Sequence, residues 1–546
     1  MPTISVDPER LFRLVGRKFD EDVFTALGLE LEALDDGTRR VEYNRNRPDM
    51  SGITGLSRAL KGILEVELGV PKYNASEEVI CTLNGRARGR EAIAAAVVEL
   101  EEPLNETEIV ELIEMQETLC NTYGRKRELI AIGLHDFEKI KCPITYTNGS
   151  KDLLMIPLDQ GSEKSLSRVL ENTEQGKLYG HLGKSFPILV DSEGKIIAFP
   201  PVINSEITRL KPGVRKIFID VTGIREDLVE NALEIIVSNI LEYGGKAYRM
   251  KVNGKIYPKL DVREIKVSPS DASSIAGVPI SIDEFIEGLR KMRLDRREPY
   301  ALIPSYRIDV MGPIDVIENA LIGYGIDQIA EKAEMPESRG IGRRHAMSSF
   351  IETLRDLLIG LGFIEIIGPT LVNSSRYIEE MKLPATGYVL LENPISKEHN
   401  MLRAQILPVI LRALRENRKS SYPQRIFEIG EIVKPSEDSL RRSLSLASSH
   451  AKASFSEIKG YVESILLALG IKASYENLEK PYYLPGRSAR IVYNGIFIGE
   501  LGELHPEVLK SFEILMPVAA AELNVSNLFK IIYEGEGQIK EDKDRF

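Results

Sequence analysis

The chain has 546 residues, of which 43% are hydrophobic and 28% charged. At ~150 residues per domain that length makes three or four domains, and the composition excludes a disordered chain or one built from membrane spans. A formal net charge of −11, from 71 Lys and Arg against 82 Asp and Glu, argues on its face against a nucleic-acid partner.

Proline and glycine punctuation, with shifts in charge, divides the sequence into four blocks and a tail. Residues 1–80 carry a helix at 8–15 and a helical run at 55–68, and read as an N-terminal α/β domain. Residues 81–262 open with a strand at 91–98 and a very acidic helix at 106–117, and close with a strand at 216–221 and a helix at 226–243. In that last helix Leu228, Ala232, Ile235, Ile236 and Ile240 keep the helical period, and Gly244-Gly245 supplies a left-handed stop. Residues 263–336 read as helices at 270–276 and 282–292 joined by a Gly-Val-Pro turn, then a short strand and a helix at 314–324: a small winged-helix-like domain. A linker at 338–344 leads into a block at 343–535. It begins with a long amphipathic helix at 348–361, a strand at 363–367 and a helix at 405–417. Strands follow at 425–433, 444–448, 490–493, 496–504 and 517–523, with Asn494-Gly495 as a two-residue hairpin signal. The fold class is α+β multidomain, with helices on a mainly antiparallel sheet in the last block. The charged tail, 536–546, is expected to fray.

The longest apolar runs, such as 92–98 and 465–469, fall far short of the ~20 residues that span a bilayer. Met1-Pro2-Thr3 lacks the basic start and apolar core of a signal peptide. Cys81, Cys120 and Cys142 are odd in number and form no CxxC or Cys/His cluster, so neither structural zinc nor a disulfide framework is expected. A reducing, cytoplasmic location fits that pattern.

The net charge is an average over uneven segments. Residues 93–118 hold eight glutamates and no Lys or Arg, whereas 403–425 hold Arg403, Arg412, Arg415, Arg418, Lys419 and Arg425 against Glu416 alone, a local balance of +5. Smaller basic clusters occur at Arg86/Arg88/Arg90, Arg209/Lys211/Arg215/Lys216 and Arg339/Arg343/Arg344. Any one cluster reads as a solvated face; several in separate blocks suit an extended anionic partner.

Four sets of motifs stand in order, one per block. The first is Asn46-Arg47-Pro48-Asp49 with Gly55-Leu56-Ser57-Arg58. The second is Pro200-Pro201-Val202-Ile203-Asn204-Ser205 with Ile219-Asp220-Val221-Thr222-Gly223. The third is Arg307-Ile308-Asp309-Val310 with Asp315-Val316-Ile317-Glu318. The fourth is Leu484-Pro485-Gly486-Arg487-Ser488-Ala489 with Gly499-Glu500-Leu501-Gly502-Glu503-Leu504-His505-Pro506. Together they resemble the beta subunits of phenylalanyl-tRNA synthetases of the archaeal/eukaryotic type. The resemblance implies an α2β2 ligase that attaches phenylalanine to tRNA(Phe) at the expense of ATP, with synthesis on the alpha subunit. The partners it implies are that alpha subunit and tRNA(Phe), with the basic stretch Arg403, Arg412, Arg415, Arg418 and Lys419 as a contact for one or the other.

It also implies that 343–535 is a class II synthetase-like block without synthetase chemistry. With the second class II element aligned on Glu428, Ile426 stands where an Arg should hold the ATP α-phosphate, and the helix at 507–512 has no Arg. An isoleucine cannot stabilise phosphate charge, an effect commonly worth several kcal/mol.

For 81–262 the resemblance implies an editing domain that hydrolyses tyrosyl-tRNA, since a phenylalanine pocket rejects an added hydroxyl by only about 10². Carried over by motif, Asn204, Ser205, Asp220 and Thr222 form its pocket, with side chains suited to a phenol and an α-amino group. No Ser–His–Asp spacing is evident, so a water positioned by substrate and backbone is the expected nucleophile. The competing reading makes Asn204-Ser205 a turn and Asp220 and Thr222 helix caps. His135 and His181 lie in the same block and could approach the pocket; His505 suits a cap or a subunit contact.

For the third block the resemblance implies Mg²⁺ on Asp309, Asp315, Glu318 and Asn319, the last standing where the family has another acid. Asp315 and Glu318 lie three apart after Pro313, so they share a helix face; they could equally just complement the helix dipole. Two further functions stay open, a non-enzymatic nucleic-acid scaffold and a stand-alone aminoacyl-tRNA hydrolase. Glu284 and Glu287 on the candidate recognition helix argue against the scaffold.

Overall fold

The helix Pro8–Val15 starts and stops where the sequence caps it. Asp7 accepts the Glu9 N–H at its start, and Gly16 ends it at φ 88°. With Ile53–Ile63 it covers a three-stranded antiparallel sheet of Thr3–Val6, Arg39–Glu42 and Glu30–Ala33, around Val6, Leu11, Val15, Val41, Leu56 and Leu60. The helix predicted to run to 68 ends at Ile63, and Glu65 just beyond it is left-handed at φ 59°.

The structure, a computed structural model, describes residues 2–35, 37–333, 342–434 and 439–533. The chain divides into two compact units, Met1–Pro336 and Glu337–Phe546. The tail, residue 339 of the third basic cluster and residues 338–341 of the linker lie outside the described residues.

In the first unit a ten-stranded sheet organises the second block. The strand Lys216–Gly223 lies between Ala92–Glu99 and Ile130–Asp136, antiparallel to both. The helix Glu226–Leu241 packs on it through Val229, Ala232, Leu233, Ile236 and Ile240, all fully buried.

Two of the block boundaries need correction. The cut at 80/81 falls inside the strand Asn74–Asn84, which joins this sheet beside Lys246–Val252, and the cut at 262/263 falls inside Val262–Lys266. Val262–Lys266 is largely exposed, and Asn74–Asn84 is largely exposed up to Val79 and alternates only at its end, where Cys81 and Leu83 are buried, so neither carries a sustained half-buried pattern. The cysteine reading is also corrected: Cys81 and Cys142 form a disulfide, Cα–Cα 5.7 Å, where Asn74–Asn84 runs parallel to Ile144–Asn148. Cys120 is free and buried.

The third block is a three-stranded antiparallel sheet, Val262–Lys266, Tyr300–Pro304 and Asp295–Arg297, with the helices Pro269–Ala276, Ile282–Lys291, Pro313–Tyr324 and Ile326–Lys332. Two of these helices touch backbone to backbone: a Cβ on Gly288 would sit 2.1 Å from the Ala320 carbonyl oxygen, and one on Gly323 2.0 Å from that of Gly288.

One buried guanidinium fastens the three blocks of this unit together. Arg58 donates to Asn239 Oδ1 at 2.9 Å and to the Tyr73 hydroxyl at 3.1 Å, and lies 3.8 Å from the centre of the Tyr306 ring. Its carboxylate neighbours Asp49 and Glu242 are each 3.8 Å away.

The second unit is built on a seven-stranded sheet. Gln424–Lys434, Ser439–Ser449, Val518–Asn524, Ile496–Leu504, Tyr483–Tyr493 and Ser474–Asn477 follow one another antiparallel, with Ile364–Glu365 added parallel at one edge. Along Val518–Asn524, Ala519, Ala521 and Leu523 face the core under the helices Ala346–Gly360 and Phe455–Ala468. Val518 and Ala520 join the other core, under Leu407–Glu416 and Pro506–Ser511. Among the described residues no helix is long and apolar enough to cross a membrane.

Candidate functional site

Strand alternation puts Asp220 and Thr222 on one face of Lys216–Gly223, with Ile219 and Val221 on the other. Register then sets small residues beside them: Gly133 is opposite Asp220 and Ala131 opposite Thr222 on Ile130–Asp136. Those missing side chains leave room. A Cβ on Gly133 would come 2.3 Å from Asp220 Oδ1 and 2.7 Å from His135 Nε2.

Above this face lies a cavity of about 620 Å³, walled by Val110, Ile113 and Glu117 of the helix Glu106–Asn121 and by the chain from Pro200 to Leu210. Asn204, Ser205, Asp220 and Thr222 all line it, together with Gly133 and Thr208. Neither Asp220 nor Thr222 is a helix cap; Arg225 occupies that position for Glu226–Leu241, without a side-chain bond. Ser205 does hold a turn: its hydroxyl donates to the Ile156 carbonyl at 3.2 Å and accepts the Ile207 N–H at 3.4 Å.

Thr222 is different. Its hydroxyl is buried and has no hydrogen-bond partner among the described residues, while its carbonyl accepts from Arg90 at 2.8 Å. A buried hydroxyl left unpaired at the floor of a cavity is a group waiting for a ligand.

His135 is fully buried behind the floor. Its Nε2 is 3.0 Å from Asp220 Oδ1 and its Nδ1 2.8 Å from Thr208 Oγ1. His181 is exposed and does not line the cavity. Arg127, unremarked in the sequence, donates to the carbonyls of Pro201 and Val202 at 2.9 and 3.0 Å and stacks on Tyr179, pinning the loop after the cis Pro200-Pro201 bond. Cys120 is no rival nucleophile, since burial pushes its thiol up to about 12.

The basic stretch is less basic than its sequence. Arg403 is buried, and donates to Glu428 at 2.5 Å and to the Glu431 carbonyl at 2.9 Å, so it drops out of any surface contact. Arg415 and Arg418 share Glu513 at 2.7 and 2.9 Å, Arg412 pairs with Glu416 at 3.2 Å, and Lys419 is exposed. Of the smaller clusters, Arg90 is buried and Arg209 pairs with Asp159 and Glu206.

Comparison with known proteins places these features. Residues 332–525 match the model of the phenylalanyl tRNA synthetase beta chain CLM domain, and residues 265–326 that of the tRNA synthetase B5 domain. The phenylalanine–tRNA ligase beta subunit of Archaeoglobus fulgidus is 35% identical, the match covering 97% of this chain and 99% of that one. The corresponding subunit of Methanocaldococcus jannaschii is 34% identical over 96% of this chain and all of its own length. The chain belongs to the family of phenylalanine–tRNA ligase beta subunits. A crystal structure of an N-terminal fragment of the phenylalanyl-tRNA synthetase beta-subunit from Pyrococcus horikoshii superposes with a TM-score of 0.55 at 32% identity, covering 59% of this chain and 99% of the fragment.

The metal positions expected of this beta subunit are not brought together as a ligand set. Arg307 occupies both oxygens of Asp309, at 2.9 and 2.8 Å, and the Asn319 amide oxygen at 2.6 Å. Asp315 caps its helix, one oxygen accepting the N–H groups of Met311 and Gly312 at 2.8 Å each, and Glu318 is exposed. Mg²⁺ demands near-octahedral oxygen ligands, and a guanidinium already sits among these. Among the described residues no group of three or more His, Cys, Asp or Glu could hold a metal ion. The residues do not fit the ion.

In the second unit of this beta subunit, Ile426 is half-buried on Gln424–Lys434, and Glu428 is consumed by Arg403. His505 caps Pro506–Ser511 by accepting the Glu507 N–H at 3.2 Å.

Proposed function

We propose that this chain serves a heterotetrameric, cytoplasmic phenylalanine–tRNA ligase as its beta subunit, with ATP-dependent phenylalanylation carried by the alpha partner. In this reading it supports that partner, helps bind tRNA(Phe), and hydrolyses tyrosine wrongly attached to that tRNA. The observation that carries the editing role is the unpaired Thr222 hydroxyl beside Asp220 in a cavity of about 620 Å³. That volume falls within the range of small-ligand sites, roughly 300–1,000 Å³.

The chemistry runs opposite to that of a phenylalanine pocket. A tyrosyl phenol can donate to Asp220 and accept from Thr222, which satisfies both groups. A phenyl ring would leave them unpaired, and sites built to bond a hydroxyl reject the analogue lacking it by about 10⁴–10⁵. Asn204 lines the same cavity and can meet the amino group or the ester, whereas the Ser205 hydroxyl is engaged by Ile156 and Ile207 and holds the turn beside them.

The second unit reads as a non-catalytic class II-like copy, because Ile426 offers phosphate nothing. Its exposed Arg412, Arg418 and Lys419, with half-buried Arg415, form the face we assign to tRNA or to the partner.

Co-expression with the alpha subunit tests the assignment. Stable co-purification, with phenylalanylation only by the mixture, supports it; phenylalanylation by this chain alone overturns it.

A further inference from the structure

We infer that Thr208, His135 and Asp220 form a hydroxyl–imidazole–carboxylate relay that takes the proton from the hydrolytic water of the editing site. The inference rests on the editing function proposed above. No spacing in the sequence suggests it, because the three residues come from different segments: the short turn Glu206–Thr208, the strand Ile130–Asp136 and the strand Lys216–Gly223.

The geometry dictates the direction of the relay. An ionised carboxylate only accepts, so the 3.0 Å contact at Asp220 Oδ1 places a hydrogen on His135 Nε2. In the neutral ring Nδ1 is then a lone pair, and Thr208 Oγ1, at 2.8 Å, must donate to it. The same hydroxyl has a second acceptor, the Ser205 carbonyl at 3.4 Å. When Nδ1 carries a proton, the ring donates to Thr208 and the hydroxyl hydrogen turns to Ser205. Both states of the imidazole are therefore hydrogen-bonded throughout, which a buried ring needs if it is to change charge.

His135 has no exposure of its own, whereas Thr208 and Asp220 line the cavity. Among the described residues, Thr208 is thus the group that links Nδ1 of the ring to the cavity. The step balances without a covalent intermediate. The water passes a proton to Thr208 Oγ1 as Thr208 passes its own to Nδ1, and the resulting hydroxide attacks the ester carbonyl carbon. The carbonyl–ribose oxygen bond then breaks, and the proton returns through Thr208 to the ribose oxygen. Asp220 Oδ1 stabilises the imidazolium in between, and Oδ2 remains for the substrate. Thr208 is the catalytic residue, and His135 is a positioning residue that acts through it.

The test uses the co-purified complex and tyrosyl-tRNA(Phe). Thr208→Val keeps the shape and removes the hydroxyl; it should lower kcat for deacylation by about 10²-fold or more, with KM little changed. Thr208→Ser should restore kcat to within a few-fold. His135→Gln should lower kcat as Thr208→Val does, and the valine–serine pair decides the matter if that variant fails to assemble. A Thr208→Val enzyme with wild-type kcat, or a Thr208→Ser enzyme as slow as Thr208→Val, overturns the relay and leaves the editing site standing. A wild-type complex that leaves tyrosyl-tRNA intact overturns the editing function itself, and the relay with it.

Discussion

Replacing Thr222 by valine separates a group kept for stability from one kept for a ligand. The hydroxyl has no protein partner among the described residues, so removing it breaks no bond within the chain and regains at most ~1–3 kcal/mol, the cost of an unsatisfied buried polar group. Valine occupies nearly the same volume, and the strand favours its β-branched shape. Thr222→Val should therefore raise the thermal midpoint of the isolated chain by up to about 4 °C, at about 1.4 °C per kcal/mol for a unit of this size. The same change removes one hydrogen bond to the bound tyrosyl group, ~0.5–1.5 kcal/mol, which corresponds to a rise in KM of roughly 2- to 13-fold. Differential scanning fluorimetry reads the first effect, and deacylation of tyrosyl-tRNA(Phe) by the alpha–beta complex reads the second. A variant that melts lower than wild type, or that keeps the wild-type KM, would refute the reasoning.

Other consequences follow from the same structure. Arg58→Ala removes the bonds to Asn239 and Tyr73 and the stacking on Tyr306, while Asp49 keeps Arg47 and Glu242 keeps Tyr73 and Lys61; it should cost about 2–5 kcal/mol in urea unfolding. Reducing the Cys81–Cys142 bridge frees a loop of 61 residues, for which the chain-entropy relation gives a loss of about 4 kcal/mol; equal unfolding midpoints with and without reductant would contradict it. Burial alone would raise the Asp49 carboxyl, but the guanidinium of Arg47, then those of Arg307 and Arg58, bring it down to about 2. Its folded value lies below the unfolded one, so its contribution is complete above pH ~4 and is lost as pH falls through about 2. Acid unfolding of Asp49→Asn should lack that part of the pH slope.

The elements were legible where the sequence carries its own punctuation. Asp7 and Gly16 bound the first helix, and Asn494-Gly495 turns the hairpin between Tyr483–Tyr493 and Ile496–Leu504. The strands Asn74–Asn84 and Val262–Lys266 gave no such signal, and block boundaries were misplaced through both. The four pocket residues came from motif resemblance, and they do share one cavity. Gly133, Thr208 and the role of His135 were not legible, because sheet register brings Asp220 to His135 from 85 positions away and a turn brings Thr208 to it from 73. Counting charges misread Arg403, since composition cannot distinguish a surface arginine from one buried against Glu428. The metal positions came from motif resemblance, which could not show that Arg307 takes both oxygens of Asp309 and the amide oxygen of Asn319.

The most direct test of the account is the loss of the ester when tyrosyl-tRNA(Phe) is incubated with the purified alpha–beta complex, wild type beside Asp220→Ala. The account predicts rapid release of tyrosine by the wild type and a loss of most of that rate in the variant. Equal rates for the two, or no release by either, would contradict it.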